Sequence, residues 1–119
     1  MLESLLHSVV LDTDDAGLRK ITHEEPLVFA KFTTGNCAIC KMLEPGFVRL
    51  AAAAAYQGIR FVRLSSDENP VAKQLMASRE APFFVSYSQG RLVECDTHAT
   101  DADVQAQLDR LRAVGSVRG

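Results

Sequence analysis

The sequence predicts an α/β domain built on a mixed β-sheet with helices on both faces. Three features predict it: apolar runs of strand length alternate with helical stretches, the helical stretches carry cap and dipole signals, and a glycine turn near the C-terminal end joins two strand-like segments. At 119 residues the chain suffices for one domain, expected to span residues 1–119. Its 47% hydrophobic and 24% charged residues are those of an ordinary globular protein.

The elements follow in order. Ser8–Leu11 (SVVL) is a candidate edge strand, although Leu2, Leu5, Leu6 and Val9 fit a helical face equally well. Thr13 and Asp14 are good N-caps, and DDAGLRKIT places acids before bases, as the helix dipole favours. Pro26 closes that unit. Leu27–Phe32 (LVFAKF) is nearly all apolar, as suits a central strand covered on both faces, with Lys31 the exception.

A helix is expected from about Cys37 to Tyr56, kinked at Pro45 and stopped by Gly58. Ile59–Leu64 alternates apolar and basic residues, which predicts a strand with one more polar face. SSDENP is turn chemistry, and Pro70 opens a short helix through Ala77. Phe83–Ser88, the Gln89-Gly90 turn and Arg91–Asp96 form a hairpin. Thr100 with Asp103 resembles a capping box for a last helix, with Val104, Leu108 and Leu111 on one face. The order is β-α-β-α-β-α-β-β-α.

Composition narrows the function. A net charge of −2 offers no basic field for nucleic acid or anionic lipid. No run approaches the roughly 18 apolar residues of a membrane span. MLESLLHSVVLD has an early glutamate and no basic leader, so a signal peptide is not expected and a reducing cytoplasm is. There, a Cys-x-x-Cys is expected to serve redox or metal chemistry, with inert packing at a helix start the alternative for the motif taken alone.

The motif that carries chemistry is TTGNCAICKMLEP, with Cys37 and Cys40 at the junction of a strand and a helix. Unpaired N–H groups at a helix start stabilise a thiolate, so Cys37 is expected to be the exposed, attacking thiol. Cys40, one turn deeper, is placed to resolve the mixed disulfide.

LVFAKFTTGNCAICKMLEP, followed by DENP and by APFFVSYSQGRLV, resembles the thioredoxin family from about Val9 to Leu111. The resemblance implies the thioredoxin fold and thiol–disulfide oxidoreductase activity on protein disulfides. It also implies no cofactor, and a reductase or small thiol as electron source. The proline matching Pro82 is cis in the family and faces the cysteines, so Ala81 and Pro82 are expected to form the substrate-side wall. Asn36, Ile39 and His98 are expected to line the contact surface.

The chain also departs from the family. Ala38-Ile39 replaces the usual Gly-Pro, so a redox potential unlike thioredoxin's is expected. Asn36 replaces a tryptophan, removing a flat docking surface. Lys31 stands at the family's buried aspartate, and Arg63 matches the lysine that accompanies it; two bases cannot form that ion pair. Lys31 either tunes the cysteines or accepts a proton, or it snorkels to solvent without a role. His98 stands where the family has a glycine; it is either a proton-transfer group or an ordinary surface histidine.

Two other readings compete. A redox-silent thioredoxin-like module that binds a partner fits the lost tryptophan and carboxylate. A tetrahedral zinc site would join Cys37 and Cys40 to Cys95 and His98, although Cys95 is more simply a strand residue packing as a small hydrophobe, and no metal is expected. His7 and His23 lack ligand partners at suitable spacing. The chain is expected to be a monomer.

Overall fold

The structure is a computed structural model and describes residues 9–118. Ser8 of the first candidate strand, together with Leu2, Leu5, Leu6 and His7, lies outside the described residues.

The elements are β1 (Val10–Asp12), α1 (Asp15–Glu24), β2 (Leu27–Thr33), α2 (Ala38–Ala52), a 3-10 turn (Ala54–Tyr56), β3 (Ile59–Ser65), α3 (Pro70–Met76), β4 (Phe83–Ser88), β5 (Arg91–Thr97) and α4 (Asp101–Arg118). They form one five-stranded sheet in the order β1-β3-β2-β4-β5. β1, β3 and β2 run parallel, while β4 and β5 are antiparallel additions. β2 is central, as its apolar run requires: Val28, Phe29, Ala30, Lys31 and Phe32 are all fully buried.

Side-chain alternation divides the core in two. Val28, Ala30 and Phe32 of β2 pack with Leu18 of α1 and with Ala72 and Met76 of α3. Phe29 faces the other side, among Leu43 and Phe47 of α2 and Val104, Leu108 and Leu111 of α4. Helices therefore cover both faces.

β3 corrects an expectation. Ile59 and Phe61 join the α2/α4 side while Val62 and Leu64 join the α1/α3 side. Neither face is polar, because the strand lies between β1 and β2 inside two layers; Arg60 and Arg63 remain partly exposed at opposite ends.

The long helix also ends earlier than its alanine run predicts. Ala53 takes an extended conformation (φ −73°, ψ 139°) and the chain re-forms as a 3-10 turn. Alanine propensity loses to packing here, since the break seats Tyr56 in the core at 4% exposure. The hairpin turn matches its residues: Gln89 and Gly90 both have positive φ (55° and 79°), as a two-residue type I′ turn demands.

Candidate active site

β2 delivers the chain to the site at the C-terminal end of the parallel strands. The loop after it is tied to the loop after β3. Thr33 O accepts from Ser66 N at 2.7 Å and from Ser66 Oγ at 2.9 Å, and Gly35 N donates to Asp67 Oδ2 at 2.7 Å. The DENP turn thus acts as a brace for the segment that presents Asn36 and Cys37.

Cys37 is the N-cap of α2, and its sulfur accepts from Cys40 N at 3.0 Å. The sulfur is the group that meets the unpaired donors at the helix start, as the motif predicts. Cys37 and Cys40 are joined by a disulfide with Cα atoms 5.2 Å apart. Cys37 is half-buried, while Cys40 is 6% exposed. Cys37 is thus the more exposed residue of the pair.

The remaining predicted residues divide. Asn36, Ala38 and Ile39 are exposed around the motif. The Ala81-Pro82 bond is cis, with Ala81 half-buried and Pro82 buried. Pro82 directly precedes β4, whose Phe83 pairs with Phe32, so it sits at the end of the sheet where β2 opens into the cysteine loop.

His98 is held elsewhere than a surface position. It is half-buried, its ring 5.5 Å from that of Phe84 and its Nε2 2.7 Å from Gln107 Oε1. The groove beside the disulfide is lined by Thr33, Thr34, Cys37, Cys40, Lys41, Glu44 and Arg63.

Lys31 corrects the snorkelling alternative. Its side chain has no solvent exposure, and its ammonium donates to Cys40 O and to Glu44 Oε1, each at 2.8 Å. Glu44 is a residue the sequence reading missed. It bridges Lys31 and Arg63, and Arg63 also donates to Asp12 at 2.6 and 3.0 Å. Arg63 is held more firmly protonated than usual, chiefly by its hydrogen bond to Asp12, against the opposing effect of burial. Lys31 and Arg63 form no ion pair with each other; each pairs with Glu44 of α2 instead, and Arg63 also with Asp12 of β1. Glu44 follows Cys40 by four residues on one helix face, the spacing that could have signalled it.

The zinc ligand set is not brought together. Cys95 packs against the α1/α3 side of the sheet, whereas His98 packs on Phe84 of the α2/α4 side. Among the described residues no group of three or more His, Cys, Asp or Glu is placed to hold a metal ion.

A mixed sheet covered on both faces, a disulfide-forming pair at a helix N-terminus and a cis-proline before β4 define a thiol–disulfide oxidoreductase of thioredoxin type. The thioredoxin family model matches residues 8–110, and the chain belongs to that family. A thioredoxin of Malassezia sympodialis is 24% identical over 76% of this chain and 86% of its own length. Thioredoxin H2 of Arabidopsis thaliana is 30% identical over 79% of this chain and 69% of its own. Among solved structures, oxidised mitochondrial thioredoxin 3 of Saccharomyces cerevisiae aligns with a TM-score of 0.77 at 21% identity, covering 89% of this chain and 99% of that one.

Proposed function

We propose that the chain acts on protein disulfides, with Cys37 as nucleophile and Cys40 as resolving thiol. The observation that carries this reading is the pairing of a half-buried Cys37 at the helix cap with a Cys40 bonded to it from one turn below.

The Cys37 thiolate attacks one sulfur of a substrate disulfide; an S–S bond forms to Cys37 and the other substrate sulfur leaves as a thiolate. The Cys40 thiolate then attacks the Cys37 sulfur, closing the internal disulfide and releasing the second substrate thiolate. Two electrons pass to the substrate, and a reductase or small thiol returns them. Asn36, Ile39, Ala81 and Pro82 serve as the substrate-side surface, supported by their positions around the motif and at the start of β4. We assign His98 to the same surface.

The reading extends to the cytoplasm, on the strength of cysteine usage in the sequence, and to a monomer; fractionation and size-exclusion chromatography test these two points. Insulin reduction by dithiothreitol tests the activity. The wild-type chain accelerates turbidity and Cys37→Ser does not. Equal curves would favour the redox-silent binding module.

A further inference from the structure

Beside the cysteine pair lies a buried charge, Lys31, that the exchange of sulfurs does not use. Asp12, Arg63, Lys31 and Phe84 are register neighbours in one row across β1, β3, β2 and β4. Glu44 of α2 reaches down onto the middle of that row. Two cations and two anions balance while the disulfide is closed.

The balance changes when the disulfide opens. Cys40 takes up an electron pair from the broken bond and, as a thiolate, carries a full negative charge at a position only 6% exposed. Burial opposes that charge, and a nearby cation favours it. The member of the row hydrogen-bonded to a cysteine residue is Lys31, through Cys40 O. Its ammonium is a donor to both Cys40 O and Glu44, and it stands 5.4 Å from the centre of the Phe47 ring. Two oxygen acceptors and an aromatic face hold that nitrogen in place on the main chain of Cys40.

We infer that Lys31 is a positioning residue that stabilises the Cys40 thiolate from beneath, drawing the dithiol/disulfide equilibrium toward the reduced form, and that Glu44 sets how much of that charge is felt. The inference rests on the oxidoreductase reading and deepens it. It gives the two partners of one ion pair opposite effects on the same equilibrium. Removing the cation favours the disulfide; removing the anion that offsets the cation favours the dithiol.

The experiment equilibrates the full chain with mixtures of reduced and oxidised dithiothreitol. The S–S bond of one couple forms as that of the other breaks, and alkylation with a mass readout counts free thiols. Lys31→Met shifts the equilibrium toward disulfide by about tenfold, ~30 mV for a two-electron couple, the scale of one unit of thiol stabilisation. Glu44→Gln, which keeps an oxygen to receive Lys31, shifts it toward dithiol. Mere loosening of a shared bridge would move both variants in one direction.

Shifts of the same sign, or none, overturn the inference. If Lys31→Met does not fold, Glu44→Gln decides alone: no shift, or a shift toward disulfide, overturns it. Wild-type insulin reduction is measured in parallel. An active wild type with unshifted variants sinks this inference only, whereas an inactive wild type sinks the reading beneath it.

Discussion

His98 donates its Nε2–H to Gln107 Oε1 at 2.7 Å, and Gln107 has no exposure to solvent. The amide's nitrogen meanwhile faces Ser86 Oγ at 2.9 Å, Phe84 O at 3.2 Å and Glu94 O at 3.4 Å. Those acceptors fix which end of the amide is oxygen, and an oxygen can only accept. The histidine is therefore the donor in this bond. Gln107→Leu removes every one of these bonds while keeping the volume. We expect it to cost about 1–3 kcal/mol of stability, the range for unsatisfied buried polar groups, measured by urea unfolding of the oxidised chain. A cost under about 0.5 kcal/mol, the level of a neutral surface change, would contradict this account.

The tyrosines set an alkaline limit. Tyr87 is pushed up to about 12, first by burial and then by the nearby Cys95 and Asp15. Its folded value lies above the unfolded value of 10.0, so the folded chain holds the proton more tightly. That stability is intact below the unfolded value and is lost as pH rises from about 10 to about 12, a loss on the order of 2–3 kcal/mol. Tyr56 is raised as well, by burial and by its bond to Asp109. Phenolate absorbance of the native chain should rise well above the pH at which it rises in denaturant. Tyr87→Phe should flatten the alkaline fall in stability.

Asp15 caps a helix other than its own. Its carboxylate accepts from Val71 N at 2.8 Å and Ala72 N at 3.0 Å in the first turn of α3, while its own N–H donates to Asn69 Oδ1 at 2.9 Å. Asn69 Nδ2 in turn donates to Ser65 O at 2.7 Å. α1, α3 and the end of β3 are thereby locked together behind the DENP turn. Asp15→Ala leaves two helix-start donors without their acceptor and should cost about 1–2 kcal/mol. Asp14→Ala, which loses only the bond to Gly17 N, should cost no more than that. Thermal unfolding of the pair gives the comparison.

Local signals made the element order and the cysteine site legible in the sequence. Asp14, Pro70, Gly90 and Thr100 each mark a boundary through their own backbone chemistry, and each boundary stands where the residue puts it. Cys37 and Cys40 needed only the strand-to-helix junction. Lys31 and Glu44 were different, because a lone lysine in an apolar strand is ambiguous until its partner is known. Its partner lies 13 residues away on a packed helix, and Asp12 joins from a third element. Sheet register, which no local pattern encodes, assembled that row.

The early end of α2 has a similar origin in contacts distant along the chain. Five alanines promise an unbroken helix, yet the chain breaks at Ala53 so that Tyr56 points inward. Tyr56 donates its hydroxyl proton to Asp109 Oδ1 at 2.5 Å and receives Gln105 Nε2 at 3.2 Å, anchoring the break to α4. Arg112 adds a cation 5.5 Å from the ring centre. If the tyrosine sets the break, Tyr56→Phe keeps the ring and should cost about 1.5–3 kcal/mol, the worth of a hydrogen bond to a charged group. Tyr56→Ala removes the ring too and should cost about 3–5 kcal/mol. In that variant amide exchange should show the helix continuing through residues 53–56, since alanine then has no packing to oppose its propensity. An unchanged exchange pattern at Ala53 would assign the break to the backbone instead of to the side chain.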